Sequence, residues 1–447
     1  MPLFSLQQVV NWLGLSRVVP CLWIERVVTD SREVEKGALF AALVGQKVDG
    51  HAFLEEAASK GAVAALVSKK YQGPSHGLFL IYVEDVLHAL QQMAQNKQKQ
   101  QTARIIAVTG SVGKTTTKEF IATLLEARYT VGKSPGNANS QVGVPVTILN
   151  MEEDKEFLVL EMGMTHSLEI SRLIQIAPPE LSVVTAIGHA HVEFFENGLD
   201  GIASAKGEIF THPLTKWGFI GPSARSMLPK LLEMGSCAKM VIGEAGEGTY
   251  CFTRKESCFS FSMRGEDPYT FFPPFTAKHL VEDLALAIAV AHFLGVSYAQ
   301  IQEQMRHLTF CENRYEVLEK KGVLFVNDSY NASPESMRAA LENLPQVVGK
   351  KIAVFGAMRE LGNHSLKAHR EVGECALGVI DHLLCLGEGC MPMVEMFLAS
   401  GKKAELFTDF SMLQKRLSEI EEKGDLVLIK GSNSAKLWRL IHILDHF

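Results

Sequence analysis

The stretch Ile105–Thr117 reads IIAVTGSVGKTTT, and it decides the fold. An apolar, β-branched run (Ile105, Ile106, Val108) leads into Gly110, Gly113, Lys114 and Thr115, and a helix-forming run follows from Lys118 to Ala127. Strand, glycine loop and helix in that order form the setting a phosphate-binding loop requires. Glycines let backbone N–H groups approach phosphate oxygens closely. The helix N-terminus adds partial positive charge. Lys114 is placed to reach terminal phosphates, and the Thr115 hydroxyl to ligate Mg²⁺. The loop is a shortened T-G-x-x-G-K-T, because the general G-x-x-x-x-G-K-[ST] pattern wants glycine at 108, where Val108 stands.

A chain of 447 residues exceeds one ordinary core, and its length predicts about three domains. With 47% hydrophobic and 21% charged residues it is globular rather than disordered. A net charge of −6 points to neither nucleic acid nor an anionic membrane as a bulk partner, so an anionic substrate needs a local basic pocket. The eight cysteines are scattered without a C-x-x-C pair, which predicts reduced thiols in a cytoplasmic protein rather than zinc or disulfides. The opening MPLFSLQQVVNWLGL lacks a basic n-region and a cleavage site, so no signal peptide is expected. No apolar run reaches the roughly 18 residues of a membrane span.

Outward from the loop, residues 1–103 predict a small α/β domain, with strands at Leu39–Leu43 and Val63–Val67 around a helix near Ala52–Lys60. The polar turns Asp30-Ser31-Arg32 and Lys47–His51 read, on spacing alone, as ordinary solvated turns. Gln91–Gln101 is polar and reads as a helix end plus a linker. Residues 104–315 predict a central domain. In it, KSPGNANSQVGVP (133–145) offers the amides of Asn137 and Asn139, and Phe157–Leu160 is a buried strand ending on Glu161. Residues beyond strand C-termini face the ligand crevice of open α/β sheets, so a carboxylate beside the phosphate loop suits Mg²⁺. The strand Leu181–Ile187 exits into Gly188-His189-Ala190-His191-Val192-Glu193, a set open to metal or phosphate contacts but short of zinc ligands. A short helix at Ile202–Phe210 carries Lys206, by default on a solvated face. Residues 211–275 predict hairpins and loops, followed by helices at Leu280–Leu294 and Tyr298–Leu308. Residues 316–447 alternate strand and helix cleanly, which predicts a doubly wound, mostly parallel, Rossmann-like sheet. Asp328-Ser329-Tyr330-Asn331-Ala332 follows its first strand without a dinucleotide fingerprint, so no redox cofactor is expected.

Taken in order, TGSVGKTTT, Asn137 and Asn139, EMG at 161–163, GHAHVE at 188–193, the Lys206 helix, Arg314 and NDSYNASPESM at 327–337 resemble the Mur ligases over all three domains. These are cytoplasmic, amide-forming enzymes of peptidoglycan precursor synthesis. The DSYNASP stretch, the N-terminal DSR…GALFAAL…DGHAF pattern and GAMRELG at 356–362 resemble the branch that joins D-alanyl-D-alanine to UDP-MurNAc-tripeptide. The D-N-P-R signature of the diamino-acid-adding branch is absent. A ligase of the diamino-acid-adding or folylpolyglutamate type, a degenerate nucleotide-binding protein and a simple phosphoryl-transfer kinase are the alternatives.

The resemblance implies an ATP-dependent acid–amino-acid ligase, forming a C–N bond through an acyl phosphate and a tetrahedral intermediate. It implies that Gly110, Ser111, Val112, Gly113, Lys114, Thr115 and Thr116 cradle ATP phosphates, with Asn137, Asn139, Asp283, Arg314, Asp328 and Asn331 completing the nucleotide site. Lys114, Glu161, His191, Lys206 and Arg314 are implied catalytic residues. Thr115, Glu161, His191 and a carbamylated Lys206 are implied ligands for two Mg²⁺ ions, and His189, which has no family match, is left structural. Ser31 and Arg32 are implied to hold the uridine-diphosphate end of the substrate. The protein is expected to be a cytoplasmic monomer whose domains close over substrates. Two departures stand out. The family's H-N-x-x-N is His279-Leu280-Val281-Glu282-Asp283 here, and its K-G-S-R-S is Lys430-Gly431-Ser432-Asn433-Ser434.

Overall fold

The computed structural model describes residues 3–45, 47–244 and 246–444. Strands Arg26–Val28, Ala38–Ala41, Ala64–Ser68 and Phe79–Val83 pair in chain order into an all-parallel sheet. The last of them was not expected from the sequence: it is an edge strand whose Tyr82 faces outward, which blurs the apolar run. A two-stranded antiparallel pair, Phe4–Ser5 with Trp23–Ile24, closes the N-terminal end.

The polar stretch expected as a helix end plus a linker is helical through Gln100. Helix Val86–Gln100 starts on Asp85, whose side chain accepts from the His88 N–H, and runs almost to the next sheet. Its polar side chains satisfy carbonyls of the central unit rather than water. Lys97 Nζ, almost fully buried, donates to the Leu149 and Met151 carbonyls at 2.9 and 2.7 Å. Gln91 and Gln95 donate to the Gln141 and Gln175 carbonyls at 3.1 and 2.8 Å. Asn150 also grips the edge strand, accepting from the Val27 N–H at 2.7 Å and donating to its carbonyl at 2.8 Å.

The central sheet has nine strands, in the order Tyr269–Phe271, Phe259–Met263, Tyr250–Arg254, Ala238–Glu244, Trp217–Ile220, Leu181–Val184, Arg104–Thr109, Phe157–Glu161 and Val131–Lys133. Pairings are parallel from Tyr250–Arg254 onward and antiparallel among the first three. Residues 211–275 hold the expected hairpin, Tyr250–Arg254 against Phe259–Met263, but Trp217–Ile220 and Ala238–Glu244 extend the parallel sheet instead. Gly218 and Lys239 interrupt their apolar runs, so each is too weakly patterned to stand out. Beneath the sheet, helix Lys114–Leu125 packs along the alanine-rich helix Lys278–Phe293 in a continuous buried layer.

The third sheet orders Glu316–Lys320, Val323–Asn327, Leu426–Lys430, Lys351–Gly356, His382–Leu386 and Lys403–Phe407. Its first pair is antiparallel and the rest parallel. The edge strand Glu316–Lys320 was missed because its residues alternate charged and apolar in the open. The central and third sheets turn the C-terminal ends of their parallel strands toward one cleft, the end at which open α/β sheets bind ligands. Among the described residues, no helix is long and apolar enough to cross a membrane.

Candidate active site

A cavity of about 630 Å³ lies between these two sheets and is lined from both. The central wall is built by the phosphate loop. Gly113 precedes helix Lys114–Leu125 in a left-handed conformation, φ +81°, and a Cβ there would strike the Asp283 carboxylate. Ser111 closes the loop onto its neighbour: its Oγ donates to the Gly188 carbonyl and accepts from the Gly188 N–H, both at 2.9 Å. The Thr185 hydroxyl donates to the Val112 carbonyl at 2.5 Å.

Inside this frame Lys114 Nζ donates to the Gly110 carbonyl at 2.9 Å. Burial lowers its pKa from the usual lysine value, Glu161 opposing and Arg314 adding to the shift. Glu161 is buried at the end of its strand. Its carboxylate accepts from Thr115 Oγ1 at 2.6 Å and from the Asn139 amide at 2.7 Å, while its own N–H donates to Ser134 Oγ at 3.0 Å. Lys118, fully buried, donates to the Ser134 and Gly136 carbonyls at 2.6 and 2.7 Å and so holds the loop bearing Asn137 and Asn139. Asp283 accepts from Thr117 Oγ1 at 3.2 Å, and burial raises its pKa well above the usual carboxylate value.

The opposite wall comes from the segment around Arg314 and from the third sheet. Arg314 stacks its guanidinium 3.9 Å over the Tyr330 ring. Asp328 accepts from the Tyr315 N–H at 3.2 Å and from Lys430 Nζ at 2.5 Å. Lys430 Nζ also donates to the Asn331 carbonyl at 3.1 Å. His279 packs its ring edge-on to Tyr315, and burial lowers its pKa to about 4.

Two histidines of the Gly188–Glu193 segment reach across the cleft. His189 Nδ1 lies 2.7 Å from Glu335, and His191 Nδ1 2.5 Å from Glu360. Burial lowers the His191 pKa, and the cations Lys114 and Lys206 add to that shift against Glu360. Lys206 lies at the end of helix Gly198–Gly207, buried rather than on the solvated face expected by default. Burial first, and then Lys114, bring its pKa well below the usual lysine value.

The structure thus brings Ser111–Lys114, Thr116, Asn137, Asn139, Glu161, His191, Asp283, Arg314, Asp328 and Asn331 to one cavity, with Thr115 bonded to Glu161. It does not bring Ser31 and Arg32 there, and Gly110 and Lys206 are not among the residues that line it. Ser31 Oγ donates to Glu56 at 2.8 Å, and Arg32 is exposed and paired with Asp30 at 2.5 Å. Lys430 was not singled out as a site residue, although it ends a central parallel strand, a position that the strand-end rule marks. Glu335 and Glu360 carry no such signal, because only the packing of the two sheets brings them to the histidines.

Family models match three successive stretches: the Mur ligase family catalytic domain over residues 24–98, the Mur ligase middle domain over 108–291, and the Mur ligase glutamate ligase domain over 313–433. The UDP-N-acetylmuramoyl-tripeptide--D-alanyl-D-alanine ligase of Bacillus subtilis is 34% identical over 94% of this chain and 92% of its own. Its namesake from Escherichia coli is 30% identical over 94% of each chain. The crystal structure of MurF from Acinetobacter baumannii superimposes with a TM-score of 0.88 at 27% identity, covering 100% of both chains. MurF ligase from Thermotoga maritima in complex with ADP gives 0.79 at 30% identity, covering 94% of this chain and 97% of its own.

Proposed function

The chain belongs to the Mur ligase family, and we propose on that premise that it joins D-alanyl-D-alanine to UDP-MurNAc-tripeptide at the expense of ATP, releasing ADP and phosphate. The observation that carries the reading is a single cavity in which the phosphate loop, Arg314 and the Asp328–Lys430 pair face one another. The two substrates come from the relatives' names.

The chemistry asks for what the two walls supply. A peptide carboxylate attacks the γ-phosphate of ATP, which brings anions together. Lys114 and Arg314 offset that repulsion and stabilise the charge of the transferring phosphoryl group. The acyl phosphate hydrolyses easily, so a cleft walled on two sides serves it by limiting the approach of water. The dipeptide amine then attacks the acyl carbon through a tetrahedral intermediate, and phosphate leaves. Asn137, Asn139, Asp283 and Asn331 border the nucleotide, and Ser31 with Arg32 holds the uridine-diphosphate end at a distance from the reacting atoms.

Thr115 and Glu161 fit Mg²⁺. Both offer hard oxygen donors, and their oxygens already meet at 2.6 Å. Among the described residues no cluster of three His, Cys, Asp or Glu side chains could enclose a metal. That suits an ion which takes one or two carboxylates and completes its shell with water and substrate phosphates. Bound there, Mg²⁺ would neutralise phosphate charge. His191 and Lys206 fit a second ion if Lys206 is carbamylated. Carbon dioxide adds only to a neutral amine, and burial beside Lys114 favours that form of Lys206. We place the reaction in the cytoplasm, in a monomer with domain boundaries near residues 103 and 315.

The test is phosphate release from ATP, Mg²⁺ and UDP-MurNAc-tripeptide, with and without D-Ala-D-Ala. Release that depends on the dipeptide, with a matching mass gain on the nucleotide product, is expected. Release with a single amino acid instead moves the protein to a sister ligase, and no release with any amine overturns the reading.

A further inference from the structure

Glu335 lines the cavity from the third sheet's side and has no part in the chemistry above. It sits in the first turn of helix Pro334–Glu342, where the helix dipole favours a carboxylate. One oxygen is committed: Oε1 accepts from the His189 N–H at 2.9 Å and faces His189 Nδ1 at 2.7 Å. The carboxyl group presses so closely on Gly188 that a Cβ there would lie 2.6 Å from its carbon. The other oxygen, Oε2, is buried and has no hydrogen-bond partner. The nearest candidate on the same helix, Arg338, is paired with Glu371 at 3.6 Å.

A buried acceptor left unmet is costly, more so when it is charged. Despite its burial, the carboxylate pKa is lowered, by the hydrogen bonds from His189, so the group stays anionic. Phosphates and the acceptor carboxylate are anions and belong with Lys114 and Arg314. The nucleophile's amino terminus carries the opposite charge. We infer that Glu335 Oε2 binds the amino group of the incoming dipeptide and holds it in the cavity beside the Gly188–His191 segment. The inference rests on the ligase reading, and it adds a substrate-binding residue to it.

The test compares Michaelis constants in the intact enzyme with ATP, Mg²⁺ and UDP-MurNAc-tripeptide. E335Q keeps the shape and an acceptor for His189 but loses the charge. It is expected to raise KM for D-Ala-D-Ala about tenfold, with KM for ATP and UDP-MurNAc-tripeptide moving less than about twofold. Hydroxylamine, a small neutral nucleophile, captures the acyl phosphate as a hydroxamate without needing an ammonium site. Its reaction is expected to suffer less than dipeptide ligation. An unchanged dipeptide KM, a rise confined to the nucleotide-linked peptide, or equal loss of both reactions would overturn the inference. Should E335Q melt early, E335D takes its place: the carboxylate is drawn back by a methylene, the same selective rise is expected, and an unchanged KM counts against the idea. A wild-type enzyme that releases no phosphate with the dipeptide defeats the ligase reading first, before any variant is measured, and the inference with it.

Discussion

The two walls of the cleft hold their charges differently. On the central wall, Lys114, Thr115, Asn139 and Glu161 are fixed within one sheet and the loops that leave it, and Lys114 turns to a backbone carbonyl of its own loop. On the opposite wall, Asp328 and Lys430 come from two strands of the third sheet and meet at 2.5 Å, and Arg314 rests on an aromatic face. The central wall is thus a preformed cradle with an uncommitted cation. On the other wall Asp328 and Lys430 satisfy each other, a pair that a ligand must join or rearrange. The cradle's contribution is expected to appear in turnover, and the paired wall's in stability.

Lys114→Ala is the sharpest way to break that contrast. It removes a charge that no carboxylate among the described residues pairs with, so kcat is expected to fall on the order of 10³-fold, with the thermal unfolding curve unchanged. Phosphate release and circular dichroism on the same sample check both halves. Lys430→Met tests the other wall. It strands Asp328 beside the cleft without its partner, and a loss of about 3 kcal/mol in the third sheet's unfolding is expected. Denaturant titration reads it directly. A Lys430 variant as stable as wild type would show that the pair is not what holds this wall.

The same contrast governs what the sequence reveals. The cradle is legible because its residues are local: thirteen consecutive positions name strand, loop and helix, and Glu161 ends the neighbouring strand. The third sheet's alternation is equally plain, since its buried strands are uninterrupted apolar runs. What escapes is long-range. Lys430 lies 102 residues from Asp328, and nothing in either segment announces the other. Helix Val86–Gln100 was read as part linker because its polar side chains serve carbonyls far along the chain. Trp217–Ile220 was missed because a glycine in a four-residue strand leaves too little pattern to read.

Asp283 carries a smaller, pH-dependent effect on the central wall. Burial raises its pKa well above 3.8, against the pull of Thr117 and with Glu282 adding to it. Above pH 3.8 and up to its raised value, the folded protein holds a proton that the unfolded chain has released. Stability therefore falls as pH rises through that window, and the penalty is complete above it. Asp283→Asn removes the titration, so its melting temperature at pH 8 is expected to exceed wild type by about 2 °C. The two proteins should converge near pH 4. A difference that stays constant with pH would mean that the substitution acts through packing against Gly113 instead.

The smallest structural effect belongs to neither wall. Arg32 is 83% exposed, and its only described ion-pair partner, Asp30, lies two residues away. Such a pair adds little in water, so Arg32→Ala is expected to leave the melting temperature unchanged. The proposed role at the uridine-diphosphate end gives the substitution a functional signature nonetheless. KM for UDP-MurNAc-tripeptide should rise while KM for ATP stays put, because Arg32 lies outside the cavity that holds the phosphate loop. If KM for ATP rises in step, the first sheet is coupled to the central wall. Asn150 is then the residue to examine next, because its side chain, at the end of helix Gly143–Asn150, bonds the Val27 backbone of the first sheet.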